Sequence, residues 1–276
     1  MNNYKILNVK GNMHMRLRNL KRTLACSLII AAVMSIAGCS SSNNKDVFRV
    51  GVDDSYPPME FKAENGKDTI GFDVDVAKEV GKRLGKKDVK FISNDWTGIF
   101  DALEANKFDA IISSVSINDE RKEKHSLTDA YIANKQVIVT KKDFDKVKKP
   151  EDLKNVRVGA QQGTTSDDFC NDLKLSSDKY KTYPVVTQPF EDLGAGRIDA
   201  IVVDVVVAKY YLTKNKDAYK LAWESTEAEP MAICLQKKDK DTTDKINKIL
   251  ADMQSDGTMK KISETWFGED VTKNLK

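Results

Sequence analysis

Three hydroxyls and a guanidinium, Ser113, Ser114, Ser116 and Arg121, follow directly on the apolar run that begins at Asp109-Ala110-Ile111-Ile112. Hydroxyls ahead of a planar guanidinium suit a small molecule carrying a carboxylate, because arginine donates two parallel hydrogen bonds to that group. The same pattern also fits a polar strand end with a surface arginine. Gln161-Gln162-Gly163-Thr164-Thr165-Ser166 reads as a strand-to-helix turn. Its glycine lets the backbone come close, and the helix N-terminus offers free N–H groups to an anion; a plain N-cap at Thr164 or Thr165 is the alternative. The turn lacks the Gly-Lys-Ser/Thr ending of a phosphate loop. Asp204 ends the run Ala200–Val203, where a carboxylate can take an ammonium group, cap a helix or pair with Lys209. Asp199, just before that run, belongs at its far end.

Two aromatic residues stand beside these groups in the chemistry they offer. Tyr56 lies in Asp53-Asp54-Ser55-Tyr56-Pro57-Pro58, a loop stiffened by two prolines, and Trp96 follows the cap-like Ser93-Asn94-Asp95. The two rings could sandwich a flat or aliphatic side chain, with cation–π attraction for a cationic guest, or could simply pack in the core. Glu60 either adds to the acidic character or, like Asp54, faces water. His125 lies among charged residues and reads as exposed. No Ser–His–Asp set, metal-ligand cluster or nucleotide loop assembles from these residues, so no catalytic residue, metal or cofactor is expected.

The elements that must position these groups show in the hydrophobic pattern. Apolar, β-branched runs recur at Phe48–Val52, Val89–Ile92, Ala110–Ile117, Val137–Thr140, Val156–Gly159, Ala200–Val203 and Ala232–Leu235. Between them lie amphipathic segments at Val74–Leu84, Trp96–Asn106, Ser166–Leu173 and Val205–Leu212. Val74, Ala77, Val80 and Leu84 recur at helical spacing. Strands alternating with helices predict an α/β fold with parallel sheets. Asp241–Met253 and Thr258–Trp266 read as two terminal helices broken at Gly257. Lys141–Asp152 is charged and contains Pro150; it suits a solvated loop and helix start better than a linker.

The first 38 residues read as a leader. Arg16, Arg18, Lys21 and Arg22 precede an apolar run, Leu24–Ala37, that is short of the roughly 20 residues a spanning helix needs. Met13 or Met15 would serve equally as the start. The leader holds six basic residues and no acid; without it the 45 basic and 42 acidic residues become 39 and 42, and the net charge moves from +3 to −3. The basic balance is therefore a leader effect, and binding to nucleic acid is not expected. Residues 39–46 form a polar tether. The remaining chain of about 230 residues suits two lobes better than one. Cys170 and Cys234 could form a disulfide outside the cytoplasm or remain two buried thiols.

Ile36-Ala37-Gly38-Cys39 resembles the lipobox of bacterial lipoproteins, which implies cleavage before Cys39 and a lipid on that cysteine. Gly71-Phe72-Asp73-Val74-Asp75-Val76, Ser113-Ser114-Val115-Ser116-Ile117, Arg121 and Gly163-Thr164-Thr165, in that order, resemble the family 3 solute-binding proteins, the amino-acid-binding subunits of ABC importers. The resemblance spans Phe48 to Phe267. It implies a two-lobed, type II periplasmic-binding-protein fold with two hinge strands, near Ala133–Val139 and Pro230–Leu235. The expected divisions are lobe 1 at 47–133 and 232–276 and lobe 2 at 134–231.

In such a protein Arg121 and Thr165 hold a ligand carboxylate. Asp204 and the hydroxyl or carbonyl of Ser114 take its ammonium, with Ser116 nearby. Tyr56 and Trp96 sandwich the side chain, and Asp53 stands where relatives that bind basic amino acids place an acid. Met231-Ala232 departs from the aromatic–glycine pair of many relatives. The implied protein is a monomeric, lipid-anchored receptor on the extracytoplasmic face of the cell membrane that passes an amino acid, arginine or lysine before cystine or glutamine, to permease subunits. The rivals are an enzyme like the cyclohexadienyl dehydratases, which share the fold, and a ligand sensor for a membrane partner.

Overall fold

The computed structural model describes residues 45–273; the expected leader, Cys39 and the first six residues of the tether lie outside them. The chain begins with β1 (Val47–Val52), three short strands β2 (Ser55–Tyr56), β3 (Glu60–Lys62) and β4 (Thr69–Ile70), and α1 (Phe72–Arg83). It continues through β5 (Asp88–Ser93), α2 (Trp96–Glu104), β6 (Ala110–Ser116), α3 (Asp119–Lys124) and β7 (His125–Leu127). After a crossing follow β8 (Gln136–Lys141), a 3-10 turn at Pro150–Asn155, β9 (Val158–Gln161), α4 (Thr165–Asp172), β10 (Tyr180–Tyr183), α5 (Thr187–Gly194), β11 (Ala200–Asp204), α6 (Val205–Lys214) and β12 (Tyr219–Glu224). A second crossing leads to β13 (Met231–Gln236), α7 (Lys240–Ser255) and α8 (Thr258–Phe267).

Two five-stranded sheets organise these elements, ordered β5-β1-β6-β13-β7 and β10-β9-β11-β8-β12. The expected parallel pairing holds for β1 with β5 and β6, and for β9 with β10 and β11. It fails at β13 and β8, which run antiparallel to their neighbours. Each enters its sheet straight from a crossing, without the intervening helix that a parallel return needs. The crossing segments are hydrogen-bonded to each other, Glu229 N–H to the Asn134 carbonyl at 2.8 Å and Met231 N–H to the Ile132 carbonyl at 3.1 Å.

Alternation along the strands sends side chains to opposite faces, and each face is covered by helices. On the first sheet Val50, Ala110 and Ile112 pack with Phe72, Val76, Ala77 and Val80 of α1, while Ile111, Val115 and Cys234 pack with Ile99 and Leu103 of α2. On the second, Val158, Ala160 and Val202 share a cluster with Cys170, whereas Ile201 and Val203 meet Phe190, Val206 and Val207. Each of the larger side chains, removed from water, contributes roughly 1.5–3 kcal/mol. Cys170 and Cys234 are free, buried thiols in separate clusters, which decides between the two readings of that pair.

Gly71 caps α1 at φ 142°, and a Cβ there would lie 2.1 Å from the Met59 carbonyl oxygen. Only glycine allows this approach. It lets Phe72 and Asp73 donate their N–H groups to the Pro58 and Met59 carbonyls, which docks the start of α1 on the strand that carries Glu60.

Candidate ligand-binding site

The carboxyl ends of β1, β6, β9 and β11 converge on one cavity, where open α/β sheets place ligands. It is lined by Asp53, Tyr56, Glu60, Trp96, Ser113, Ser114, Ser116, Arg121, Gln161, Thr164, Thr165 and Asp204. All eight residues singled out in the sequence as ligand-facing therefore border the same space. Four of the lining residues, Gln161, Thr164, Thr165 and Asp204, belong to the second sheet and its loops; the others come with the first.

Arg121 supplies the cationic side. Asn118 caps α3 by accepting the Arg121 N–H through Oδ1 at 2.8 Å, which fixes the backbone from which the guanidinium reaches back. The guanidinium donates to the Ser116 carbonyl at 2.9 Å and lies 5.3 Å from the ring centres of both Trp96 and Phe100. Among the described residues no carboxylate pairs with it within 4.0 Å, so its remaining donors are available. Burial lowers its pKa from the ordinary value, against the pull of Glu229 and more distant acids.

Asp204 is the opposite pole. Its carboxylate accepts the Tyr56 hydroxyl in a short bond, and Asn134 Nδ2 and Gln136 Nε2 at 2.8 Å each. Burial first and the charge of Glu229 second lift it to about 7 despite these donors. Its side chain does not cap α6, and Lys209 pairs instead with Glu269 at 2.9 Å, so neither alternative role for Asp204 is realised. Asp199 pairs with Arg157, at the other end of β11 as expected.

At the remaining end, Asp53 accepts from Ser55 at 2.6 Å and from Gln161 Nε2 at 2.7 Å, and burial raises its pKa. Gln161 Oε1 and Glu60 Oε2 are buried without a hydrogen-bond donor. Trp96 is held by its indole N–H, which donates to the Gly163 carbonyl at 2.8 Å. Gly163, at φ 71°, turns the chain into α4, whose N-cap Thr164 accepts the Asp167 N–H. Thr165 donates its hydroxyl to Glu229 at 2.5 Å and receives Gln136 Nε2 at 3.2 Å, leaving its backbone N–H at the start of α4 for an anion.

Of the two readings left open for Glu60 the structure takes one: it is fully buried and does not face water. It lines the same cavity as Arg121 and Asp204. His125 is 7 % exposed rather than solvated: its ring stacks on Phe100 and its Nδ1 lies 3.2 Å from Glu104. The Ser114 hydroxyl donates to Asp73 at 3.1 Å, and its oxygen, like the Ser114 carbonyl, can still accept from an ammonium. Asn134, Gln136 and Glu229 were not foreseen. Gln136 could have been noticed as an amide at the head of an apolar strand, whereas nothing local distinguishes Glu229 among the acids around it.

Residues 48–269 match the model of the bacterial extracellular solute-binding proteins, family 3. The L-cystine-binding protein TcyJ of Escherichia coli (strain K12) is 34% identical over 225 residues, covering 81% of this chain and 84% of TcyJ. Among solved structures, an ancestral arginine-binding protein bound to glutamine superposes with a TM-score of 0.76 at 39% identity, over 81% of this chain and 99% of that one. The ancestral amino acid-binding protein AncCDT-1, a precursor of cyclohexadienyl dehydratase, superposes at 0.75 with 36% identity, over 81% and 96%.

Proposed function

The chain belongs to the bacterial extracellular solute-binding proteins, family 3, and we propose that it captures a single amino acid between its lobes and hands it to the permease of an ABC importer. The observation that carries this reading is the pairing of Arg121, free of any carboxylate among the described residues, with Asp204 across one small cavity. A carboxylate on the Arg121 side and an ammonium on the Asp204 side are the two ends of an amino-acid backbone. Thr165 serves the carboxylate through its backbone N–H, and the Ser114 carbonyl serves the ammonium with Ser116 nearby. Tyr56 and Trp96 wall the side chain.

The side-chain end favours a donor of N–H bonds. Asp53 supplies a carboxylate there, and Gln161 Oε1 is an acceptor without a partner. Arginine and lysine fit this end first. Glutamine offers an amide and cystine a second ammonium group, so both remain as alternatives, in keeping with the ligands named for the relatives. Lobe 1 comprises 47–133 and 232–276 and lobe 2 134–231, with the paired crossings as the hinge. Ligand contacts with both lobes at once favour the closed form. Cys39 carries a lipid that anchors the monomer outside the cell, with residues 40–46 as tether.

A thermal-shift panel of the twenty amino acids, ornithine and cystine tests the reading, since a ligand of the folded form raises the melting temperature with its affinity. Stabilisation by arginine or lysine is expected. A response to leucine or glutamate alone overturns the basic preference, and no response to any member overturns the function. Turnover of prephenate or arogenate would make the protein an enzyme, and capture of a membrane kinase rather than a permease would make it a sensor.

A further inference from the structure

Ser114 adopts φ 51°, the left-handed region, inside a strand. Opposite it the register of β13 jumps from Ala232–Val115 to Cys234–Ile111, so Ser114 has no ladder partner there. Both of its donors point to one atom instead: its N–H and its hydroxyl bind Asp73 Oδ2 at 2.7 and 3.1 Å. The other oxygen, Asp73 Oδ1, accepts the Tyr131 hydroxyl at 2.7 Å, and the Tyr131 N–H bonds to Met231 at the crossing. Asp73 is completely buried at the start of α1, where Gly71 docks it on Pro58–Glu60.

Glu60 stands next to it, also completely buried. Ser113 donates to Glu60 Oε1 at 2.5 Å, while Oε2 receives no donor. Burial first, and the adjacent charge of Asp73 second, push the Glu60 carboxyl well above the usual carboxylate range.

We propose that Asp73 is a positioning residue for ligand capture: held by Tyr131, it pins both donors of Ser114 from behind the strand and so turns the Ser114 carbonyl oxygen toward the ligand ammonium. This inference rests on the amino-acid-binding function proposed above.

Calorimetric titration with L-arginine and with 5-guanidinopentanoate, the same molecule without its ammonium group, separates positioning from general damage. Asp73→Asn is expected to weaken L-arginine about tenfold, the order of one lost charge-assisted hydrogen bond, and 5-guanidinopentanoate less than about twofold. Equal losses for both ligands overturn the proposal. Tyr131→Phe, which removes the donor that holds Asp73 Oδ1, should weaken L-arginine about threefold and 5-guanidinopentanoate less. Should Asp73→Asn fail to fold, Tyr131→Phe decides alone, and equal losses for both ligands overturn the proposal. If L-arginine does not bind the wild type, the best amino acid of the panel and its des-amino analogue take its place. A wild type that binds no amino acid at all defeats the proposed function rather than this inference.

Discussion

The hydroxyl of Tyr56 donates to the carboxylate of Asp204, a residue 148 positions further along the chain and on the other sheet. The phenol thus sits on the carboxylate to which we assign the ligand ammonium, and it joins the two lobes at that point. From the sequence Tyr56 is a wall for the ligand side chain or a core residue; its polar end has a further task. Tyr56→Phe keeps the wall and removes the donor. Calorimetry should show affinity for the preferred amino acid falling about fivefold to tenfold, in line with about 1–1.5 kcal/mol for one hydrogen bond. An unchanged affinity would mean that this contact contributes nothing to the ligand-bound form.

Arg121 behaves differently with and without ligand. In the free protein it is a buried cation with no carboxylate partner among the described residues, so Arg121→Ala should leave urea-induced unfolding within about 1 kcal/mol of wild type. Binding should suffer by about 3–5 kcal/mol, because the ligand carboxylate would be buried unpaired. Arg121→Lys should fall between, since an ammonium cannot give two parallel hydrogen bonds. Wild-type affinity in the alanine variant would remove Arg121 from the site.

Asp204 links binding to pH. Its folded value of about 7 exceeds its ordinary 3.8, so the fold favours the neutral acid. Its contribution to stability is then fully present below about 4 and is lost as the pH rises through 7. A ligand ammonium favours the carboxylate and reverses the preference. Affinity should therefore fall as the pH drops below about 7, by up to about tenfold per unit, with a proton released on binding. Asp204→Asn should bind more weakly and without that pH dependence. A pH-independent wild type between 5 and 8 would separate Asp204 from the ammonium.

Gly71 tests the docking of α1. A Cβ would meet the Met59 carbonyl oxygen at 2.1 Å, and the backbone is held at φ 142°. Gly71→Ala should cost more than about 2 kcal/mol in chemical denaturation. It should also weaken amino-acid binding in the folded fraction, because Asp73 would shift away from Glu60 and Ser114. A fully stable alanine variant would contradict the close approach.

Elements and residue types were legible in the sequence because they are local. The helical period of Val74, Ala77, Val80 and Leu84 foretold α1 within two residues of its observed bounds, and the run Ala200–Val203 ending in Asp204 foretold β11 and its carboxylate. Short elements, α3 and α5 among the helices and β2, β3, β4, β7, β10 and β12 among the strands, escaped notice. The eight ligand-facing candidates meet in one cavity because most of them stand at or near an element end, a position that apolar patterning marks well. What the tertiary structure decided is where each polar group spends its hydrogen bonds. Glu60 reads either as part of an acidic site or as a solvated acid; its burial, with Ser113 donating to it from 53 positions away, decides between them. The Ser114 hydroxyl, the Tyr56 phenol and His125 were likewise claimed by partners distant in sequence. Periodicity is a property of neighbours along the chain, whereas a buried carboxyl takes its charge from whatever the fold packs against it.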